Sequence, residues 1–188
     1  NSNSGRLSEA AFSGTRNEDP MTKTANHEDM SPIVLDGASL TCERLVEAAR
    51  RGRQVVLAEG ADQLIRAGRA VVEEIVSSGT KGYGITTGVG SQKEFAVRPE
   101  GMQDYNRRLA RAHSTHMGGA VLPESRVRGA LIILANEFSL GLSGVSAPLV
   151  NLIVKAINTA EMPLVSSYGT VGAADLIPMA QIADWLQS

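Results

Sequence analysis

Apolar residues recur at intervals of three and four along most of this chain, and that spacing constrains the fold more than any other feature. The clearest stripe consists of Leu64, Ala67, Val71, Val72 and Ile75. Such spacing is typical of an amphipathic helix that buries one face. Aromatic residues make up only 4% of the 188 residues, whereas Ala, Leu, Val and Ile supply most of the apolar content. The sequence therefore predicts an all-α fold, a bundle of long helices with loop-rich connections.

Residues that begin and end helices flank the apolar stripes. Thr41 and Asp62 are suited to cap helix N-termini, and Gly79 is suited to end the second helix. Order is expected to begin near Ile33, in a short apolar run that a turn ends. Further helices are predicted from Pro99 to about Ala112, from Pro123, from Ala147 and from about Asp175 onwards.

The composition indicates which binding partners do not suit this chain and which cellular compartment does suit it. A formal net charge of −2 and a hydrophobic fraction of 43% favour neither a nucleic acid nor a membrane surface as the partner. No uninterrupted apolar run reaches the ~20 residues that a membrane span needs. Cys42 is the only cysteine, so no internal disulfide can form, and a cytoplasmic location is expected.

The first thirty residues differ in composition from the rest of the chain. Ser, Asn, Thr, Glu and Asp dominate residues 1–30, which are expected to form a disordered leader. Met21 has the character of a natural start, so residues 1–20 are interpreted as an expression tag. Residues 31–188 are expected to form the folded domain.

A long loop rich in glycine and threonine is predicted over residues 79–98, and loops of this length inside compact domains are uncommon unless they are functional. Tyr83 lies between two glycines in this loop. If it were buried beside an electropositive group, its phenol could ionise and act as a base. The alternative is a tyrosine that only packs on a surface loop, and this segment alone favours neither interpretation.

His113 stands at the predicted end of a helix, in the stretch Arg107 to Ser114. Taken alone, such a histidine is more often a capping or core residue than a catalytic one. His116 follows three residues later, but no acidic residue or cysteine completes a set of metal ligands. The sequence therefore predicts no metal site.

The stretch from Gly169 to Ala180 reads GTVGAADLIPMA, a glycine-rich turn followed by an apolar segment. Small residues around two glycines allow the backbone to approach itself closely, which bulky side chains would prevent. Asp175 suits the start of the following helix, where a carboxylate satisfies free amide groups and interacts favourably with the helix dipole.

Four motifs, taken in order, resemble the aromatic amino acid ammonia-lyases and 2,3-aminomutases, which include histidine, phenylalanine and tyrosine ammonia-lyases. They are Tyr83 to Gly90, Ala112 to Ser114, Gly141 to Gly144, and Gly169 to Pro178. Taken alone, the third motif is better explained as a tight turn between helices, and Ser143 has no base in reach that would make it a nucleophile. The resemblance extends from about Ile33 to Ser188 and matches only the N-terminal part of that family's longer chain.

The resemblance implies a mechanism and site residues. Family members cyclise an Ala-Ser-Gly triplet into 4-methylideneimidazole-5-one, an internal electrophile that accepts the substrate's amino group, so no external cofactor is expected. A tyrosine that matches Tyr83 removes a β-proton. By the same resemblance, His113 contacts the aromatic end of the substrate, Leu176 lines the same pocket, and Gly90 leaves room near the electrophile.

The sequence departs from the family pattern at the electrophile itself. The family has Ala-Ser-Gly before Asp-Leu, whereas this chain has Ala173 and Ala174 before Asp175. Either serine and glycine are truly absent and no electrophile forms, or three residues are fused into one modified residue that a single letter represents. The second explanation is preferred because the flanks of the turn are intact. Ala174, beside Asp175, is then the fused residue, and Ala173 is the alternative position.

The leading hypothesis is an aromatic L-amino acid ammonia-lyase or 2,3-aminomutase, with tyrosine ranked above histidine and phenylalanine. The resemblance also implies an ammonia-lyase-like catalytic domain, of which residues 31–188 form the N-terminal part, and a homotetramer with shared active sites. The alternative is a non-catalytic helical oligomerisation module derived from the same fold, which a true absence of serine and glycine near Ala174 would favour.

Overall fold

The computed structural model of the chain describes residues 31–115, 118–169 and 176–188, and those residues are mostly helical. The elements are β1 (Ile33–Leu35), α1 (Cys42–Arg51), β2 (Val55–Leu57), α2 (Ala61–Ser78), a 3-10 turn (Gly90–Gln92), α3 (Pro99–His113), α4 (Glu124–Phe138), α5 (Ala147–Thr159) and α6 (Leu176–Trp185). Within the described ranges, no helix is long and apolar enough to cross a membrane. The predicted all-α class is confirmed in its main feature, since helices dominate and strands are short.

A two-stranded parallel sheet is the element that the helical stripes do not predict. Strands β1 and β2 pair in register, with Ile33 opposite Val55. One face of the sheet is buried, whereas Val34 and Val56 on the other face are exposed. The Asn158 side chain of α5 covers the outer edge of β2: its Nδ2 donates to the Val55 carbonyl and its Oδ1 accepts from the Val55 N–H, both at 2.9 Å.

The core forms where α4 packs against α1 on one side and α5 on the other, beneath the buried face of the sheet. Its fully buried side chains include Leu35, Val55, Leu131, Ile132, Ile153 and Ile157. Burying a side chain of this size stabilises a fold by about 1.5–3 kcal/mol. This core fixes α1, α4 and α5 relative to one another and to the sheet.

Helix α2 departs from the sequence prediction at its start and along its stripe. Gly60, with φ +83°, is the N-cap, whereas Asp62 lies in the first turn and pairs with Arg66. Leu64 and Val71 of the predicted stripe are 53% and 56% exposed, whereas the buried residues of α2 are Ala61 and Ile65. The spacing therefore identified a helix but not the face that the rest of the described chain covers.

A close backbone approach explains the orientation of α2. A Cβ atom added to Gly68 would lie 1.8 Å from the carbonyl oxygen of Gly141, so these two backbones contact each other directly. Gly141 and Gly144 both have positive φ, at +70° and +65°, in the turn between α4 and α5. The motif Gly141 to Gly144 is thus an interhelical turn, and glycine permits both its conformation and its contact with α2.

Candidate active site

One cavity of about 900 Å³ brings together every predicted site residue that lies within the described ranges. Tyr83, Gly90, His113 and Leu176 all line it, although they are spread over more than ninety positions of the chain. Its other lining residues are Val89, Ser91, Gln92, Asn106, Leu109, Ala110, Ala112, Ala180, Ala183 and Gln187. The volume falls within the range of about 300–1,000 Å³ that is usual for small-molecule sites.

The loop that carries Tyr83 is held by hydrogen bonds from its own threonines. The hydroxyl of Thr86 accepts from the Gly82 N–H at 2.8 Å and donates to the Thr80 carbonyl at 2.8 Å. Buried Thr87 forms an antiparallel bridge with Ala96, which closes the loop at its base. The Thr-Thr pair after Tyr83 therefore has a structural role that gives the loop a defined shape.

Tyr83 and Gly90 contact each other directly across this loop. The Gly90 N–H donates a hydrogen bond to the Tyr83 hydroxyl oxygen at 3.0 Å. Gly90 has φ +58°, and nothing lies within 4 Å of the position that its Cβ would occupy, so the space beside the phenol is open. The ring of Tyr83 is 66% exposed in this chain, which differs from the buried phenol considered for a base.

His113 is the last residue of α3 and has one ring nitrogen engaged. Its Nδ1 lies 2.8 Å from the Leu109 carbonyl oxygen. Because a carbonyl only accepts, Nδ1 carries the proton in this contact. In the neutral ring, Nε2 is then a free acceptor, able to receive a hydrogen bond from a molecule in the cavity.

The remaining walls are mostly apolar and come from two helices. Leu176, Ala180 and Ala183 of α6 and Leu109 of α3 lie around the cavity. No Arg, Lys, Asp or Glu is among its lining residues within the described part of the chain, so no arginine for a substrate carboxylate is found there. The arrangement suits an aromatic ring whose outer edge carries one hydrogen-bond donor.

The predicted electrophile positions, Ala173 and Ala174, lie outside the described residues, as does His116. The described ends of their segment are in contact, because a Cβ atom on Gly169 would lie 2.7 Å from the Ile177 side chain. As ordinary alanines, the two residues contain neither a hydroxyl that can be lost as water nor a glycine nitrogen. They therefore do not fit a methylideneimidazolone, and only a fused residue would.

Asn106 and Gln187 are among the lining residues that the sequence analysis missed. Both lie at helical spacing from residues that were identified. Asn106 is two turns before His113 on α3, and Gln187 lies just after α6, where it continues the series 176, 180 and 183. Counting whole helical turns back from His113 reaches Asn106, and counting them forward from Leu176 reaches Gln187. Helical periodicity would therefore have identified both residues.

The sequence analysis predicted no metal site. In the ranges that the structure describes, no group of three or more His, Cys, Asp or Glu side chains is arranged to hold a metal ion. Cys42 is exposed, and it lines none of the cavity around Tyr83.

The mostly helical fold is shared with solved structures of a histidine ammonia-lyase and of tyrosine aminomutases. The sequence model of the family described as aromatic amino acid lyase matches residues 40–187. The chain belongs to the aromatic amino acid lyase family.

Individual relatives agree with this assignment. A histidine ammonia-lyase of Caldanaerobacter subterraneus subsp. tengcongensis is 35% identical over 154 residues, which cover 81% of this chain and 30% of that relative. Among solved structures, an ergothioneine-degrading ergothionase from Treponema denticola aligns with a TM-score of 0.78 at 24% identity, covering 81% of this chain and 30% of that one. The tyrosine aminomutase from Streptomyces globisporus aligns with a TM-score of 0.74 at 24% identity, covering 81% and 28%. The chain thus spans less than a third of the length of these proteins.

Proposed function

We propose that the chain contributes to an aromatic L-amino acid ammonia-lyase or 2,3-aminomutase, and that the cavity around Tyr83 binds the substrate. The observation that carries this proposal is the shared cavity of Tyr83, Gly90, His113 and Leu176. Four residues selected by motif, from three different segments, line one space of suitable size. Family membership and relatives that are histidine ammonia-lyases support the reaction class.

In the proposed reaction, the Tyr83 phenol oxygen removes a proton from the substrate's β-carbon. The hydrogen bond from the Gly90 N–H at 3.0 Å orients that oxygen toward the open space beside Gly90. An exposed ring can exchange protons with water, so the base can be regenerated after each turnover. A lyase then releases ammonia and an arylacrylate, whereas an aminomutase returns the amine to the β-carbon.

Substrate choice is proposed to depend on His113. With Nδ1 donating to Leu109, the free Nε2 accepts a hydrogen bond from a ring substituent. The phenol of tyrosine and the imidazole N–H of histidine both provide this donor, whereas the ring of phenylalanine provides none. The sequence ranks tyrosine above histidine and phenylalanine, whereas the histidine ammonia-lyase relatives support histidine.

The electrophile is proposed to lie at Ala174, as a fused Ala-Ser-Gly residue, with Ala173 as the alternative position. Such a group would supply an electron-poor methylene that makes the amine a better leaving group.

Assembly into a homotetramer with shared active sites, in the cytoplasm, is part of the same proposal. Large apolar side chains on the described surface support association with further protein. Leu142, Leu164 and Phe95 are 85%, 82% and 69% exposed. A further subunit that covers these side chains would remove them from water.

A second candidate is a non-catalytic helical oligomerisation module of the same family. The written pair Ala173 and Ala174, which contains no serine or glycine, favours it. The module would keep the cavity and the association surface but would convert no amino acid.

Product analysis separates these possibilities. The purified chain is incubated in turn with L-tyrosine, L-histidine and L-phenylalanine, and the arylacrylate and the β-amino acid are quantified by liquid chromatography. Formation of either product from tyrosine or histidine, in excess over phenylalanine, supports the proposal. Absence of product with all three, from a folded and oligomeric protein in which mass spectrometry shows an ordinary alanine at position 174, favours the module.

A further inference from the structure

Gln181 is a buried polar residue on α6 that does not line the cavity, although its neighbour Ala180 does. We propose that Gln181 is a positioning residue of the candidate active site. Its side-chain amide holds two separate segments against α6: the one that follows His113 and the one that precedes Gly169. The effect on turnover rests on the proposed function, whereas the contacts themselves do not.

The oxygen of the amide binds the segment before Gly169. Gln181 Oε1 accepts a hydrogen bond from the Ser166 N–H at 2.8 Å, and both groups are buried. Ser166 in turn donates through its hydroxyl to the Gly118 carbonyl at 3.1 Å. This segment leads directly to Gly169, where the proposed electrophile loop begins.

The nitrogen of the same amide faces the segment after His113. Gln181 Nε2 lies 3.5 Å from the carbonyl oxygens of Ser114 and Thr115, at the long end of hydrogen-bond distances. One turn further along α6, Asp184 accepts a hydrogen bond from the Ser114 hydroxyl at 3.2 Å. The segment next to His113 therefore contacts two side chains of α6, through backbone carbonyls at Gln181 and through the Ser114 hydroxyl at Asp184.

The chemistry of these contacts requires an amide. Oε1 must accept from an N–H while Nε2 donates toward carbonyl oxygens, and only a group with both capacities satisfies all three partners. A carboxylate at this place would keep the acceptor but would face two carbonyl oxygens with negative charge. An apolar side chain would leave the buried Ser166 N–H without its hydrogen-bond partner, which is unfavourable.

The consequence for the site is geometric. Leu176 and Ala180 on α6 and His113 on α3 line one cavity only while α6 keeps its distance from the end of α3. Gln181 connects these elements through a single rigid group. Its loss is expected to move the ring-binding residues relative to each other without unfolding the helices.

Two substitutions of similar size test this proposal. Gln181→Glu has the amide's donor and acceptor only when the carboxyl is protonated, and burial beside carbonyl oxygens raises the pKa of that carboxyl. The side chain of Gln181→Met cannot provide this pair of donor and acceptor at any pH. Gln63→Glu, on the exposed surface of α2, is the control for added charge.

The first measurement uses Trp185, the only tryptophan of the chain, which lines a smaller cavity together with Ser114 and Gln181. We expect its emission in Gln181→Glu to show a pH transition that is absent in the wild type, in Gln181→Met and in Gln63→Glu. A flat profile in Gln181→Glu would overturn the proposed contacts. This result does not depend on any enzymatic activity.

The second measurement is kcat and KM against pH for the substrate that the wild type converts. Gln181→Glu should lose about tenfold or more in kcat/KM at alkaline pH and recover at acid pH with the same midpoint as the Trp185 transition. Gln181→Met should be impaired throughout. Wild-type turnover in Gln181→Glu at every pH would overturn the positioning role. If the wild type converts nothing, the proposed function fails, and the Trp185 titration still decides whether Gln181 joins the segments.

Discussion

The Tyr83 hydroxyl oxygen accepts a hydrogen bond from the Gly90 N–H at 3.0 Å, so two residues of one glycine-rich loop fix the phenol at the edge of the cavity. The positive φ of Gly84 and Gly90 allows the loop to turn back on itself and bring them together. The contact gives the exposed ring a defined position before any substrate binds.

Substituting Tyr83→Phe removes the oxygen and keeps the ring. We expect turnover to fall on the order of a hundredfold or more, because a general base contributes at least that much. Steady-state kinetics on the preferred substrate measure the loss. Tyr105→Phe is the matched control, since the Tyr105 hydroxyl is buried without a hydrogen-bond partner in the described structure and lines none of this cavity. Activity of Tyr83→Phe within a few-fold of the wild type would exclude the phenol as the base.

Substituting His113→Phe removes the Nε2 acceptor from a residue that lines the cavity. The kcat/KM ratio of tyrosine or histidine over phenylalanine should then fall by about threefold to tenfold, which corresponds to one net hydrogen bond. His113→Gln, which retains an acceptor, should preserve more of the preference. Competition assays with paired amino acids give the ratio directly. An unchanged ratio in His113→Phe would mean that the ring does not contact His113.

Asn158 is expected to stabilise the sheet rather than the site. Asn158→Ala leaves the N–H and carbonyl of Val55 without their partners and should lower the free energy of unfolding by about 1–3 kcal/mol. Urea titration followed by circular dichroism measures this difference. Asn151→Ala, on the exposed side of the same helix, should change stability by much less. Equal effects of the two substitutions would refute the edge-capping role of Asn158.

Asp36 gives the chain a specific acid sensitivity. Hydrogen bonds from the backbone N–H groups of Ser39 and Ala38 lower the pKa of its carboxyl from 3.8 to about 2. Because the folded pKa is depressed, the stabilisation is complete above pH 3.8 and is lost as the pH falls toward 2. The stability advantage of the wild type over Asp36→Asn should therefore shrink over that interval. A difference that stays constant from neutral pH to pH 2 would contradict this assignment.

The helices were predictable because their apolar stripes and terminal residues are local signals. Thr41 caps α1 as expected, with its hydroxyl accepting from the Arg44 N–H. The sheet was not predictable, since three-residue strands carry too little alternation to be distinguished from a loop. The exposure of Leu64 and Val71 could not be predicted from the sequence either, because periodicity defines an apolar face of a helix without showing what covers that face.

The site was predictable only in part, and for different reasons. Tyr83, His113 and Leu176 were found because they lie in motifs that resemble a family, not because any local pattern indicated a shared cavity. The contact of Tyr83 with Gly90 depends on positive backbone angles that the sequence merely permits. No sequence pattern indicated Gln181, because its proposed role depends on three backbone groups in distant segments.

The proposed chemistry depends most directly on the covalent state of Ala174. Proteolysis of the purified chain to release a peptide spanning Val171 to Met179, followed by mass spectrometry, determines that state. We predict a mass above that of the written residues, as a fused triplet in place of one alanine requires, together with a near-ultraviolet absorbance that borohydride removes. A mass equal to that of the written residues, with ordinary alanines at 173 and 174, would contradict the electrophile.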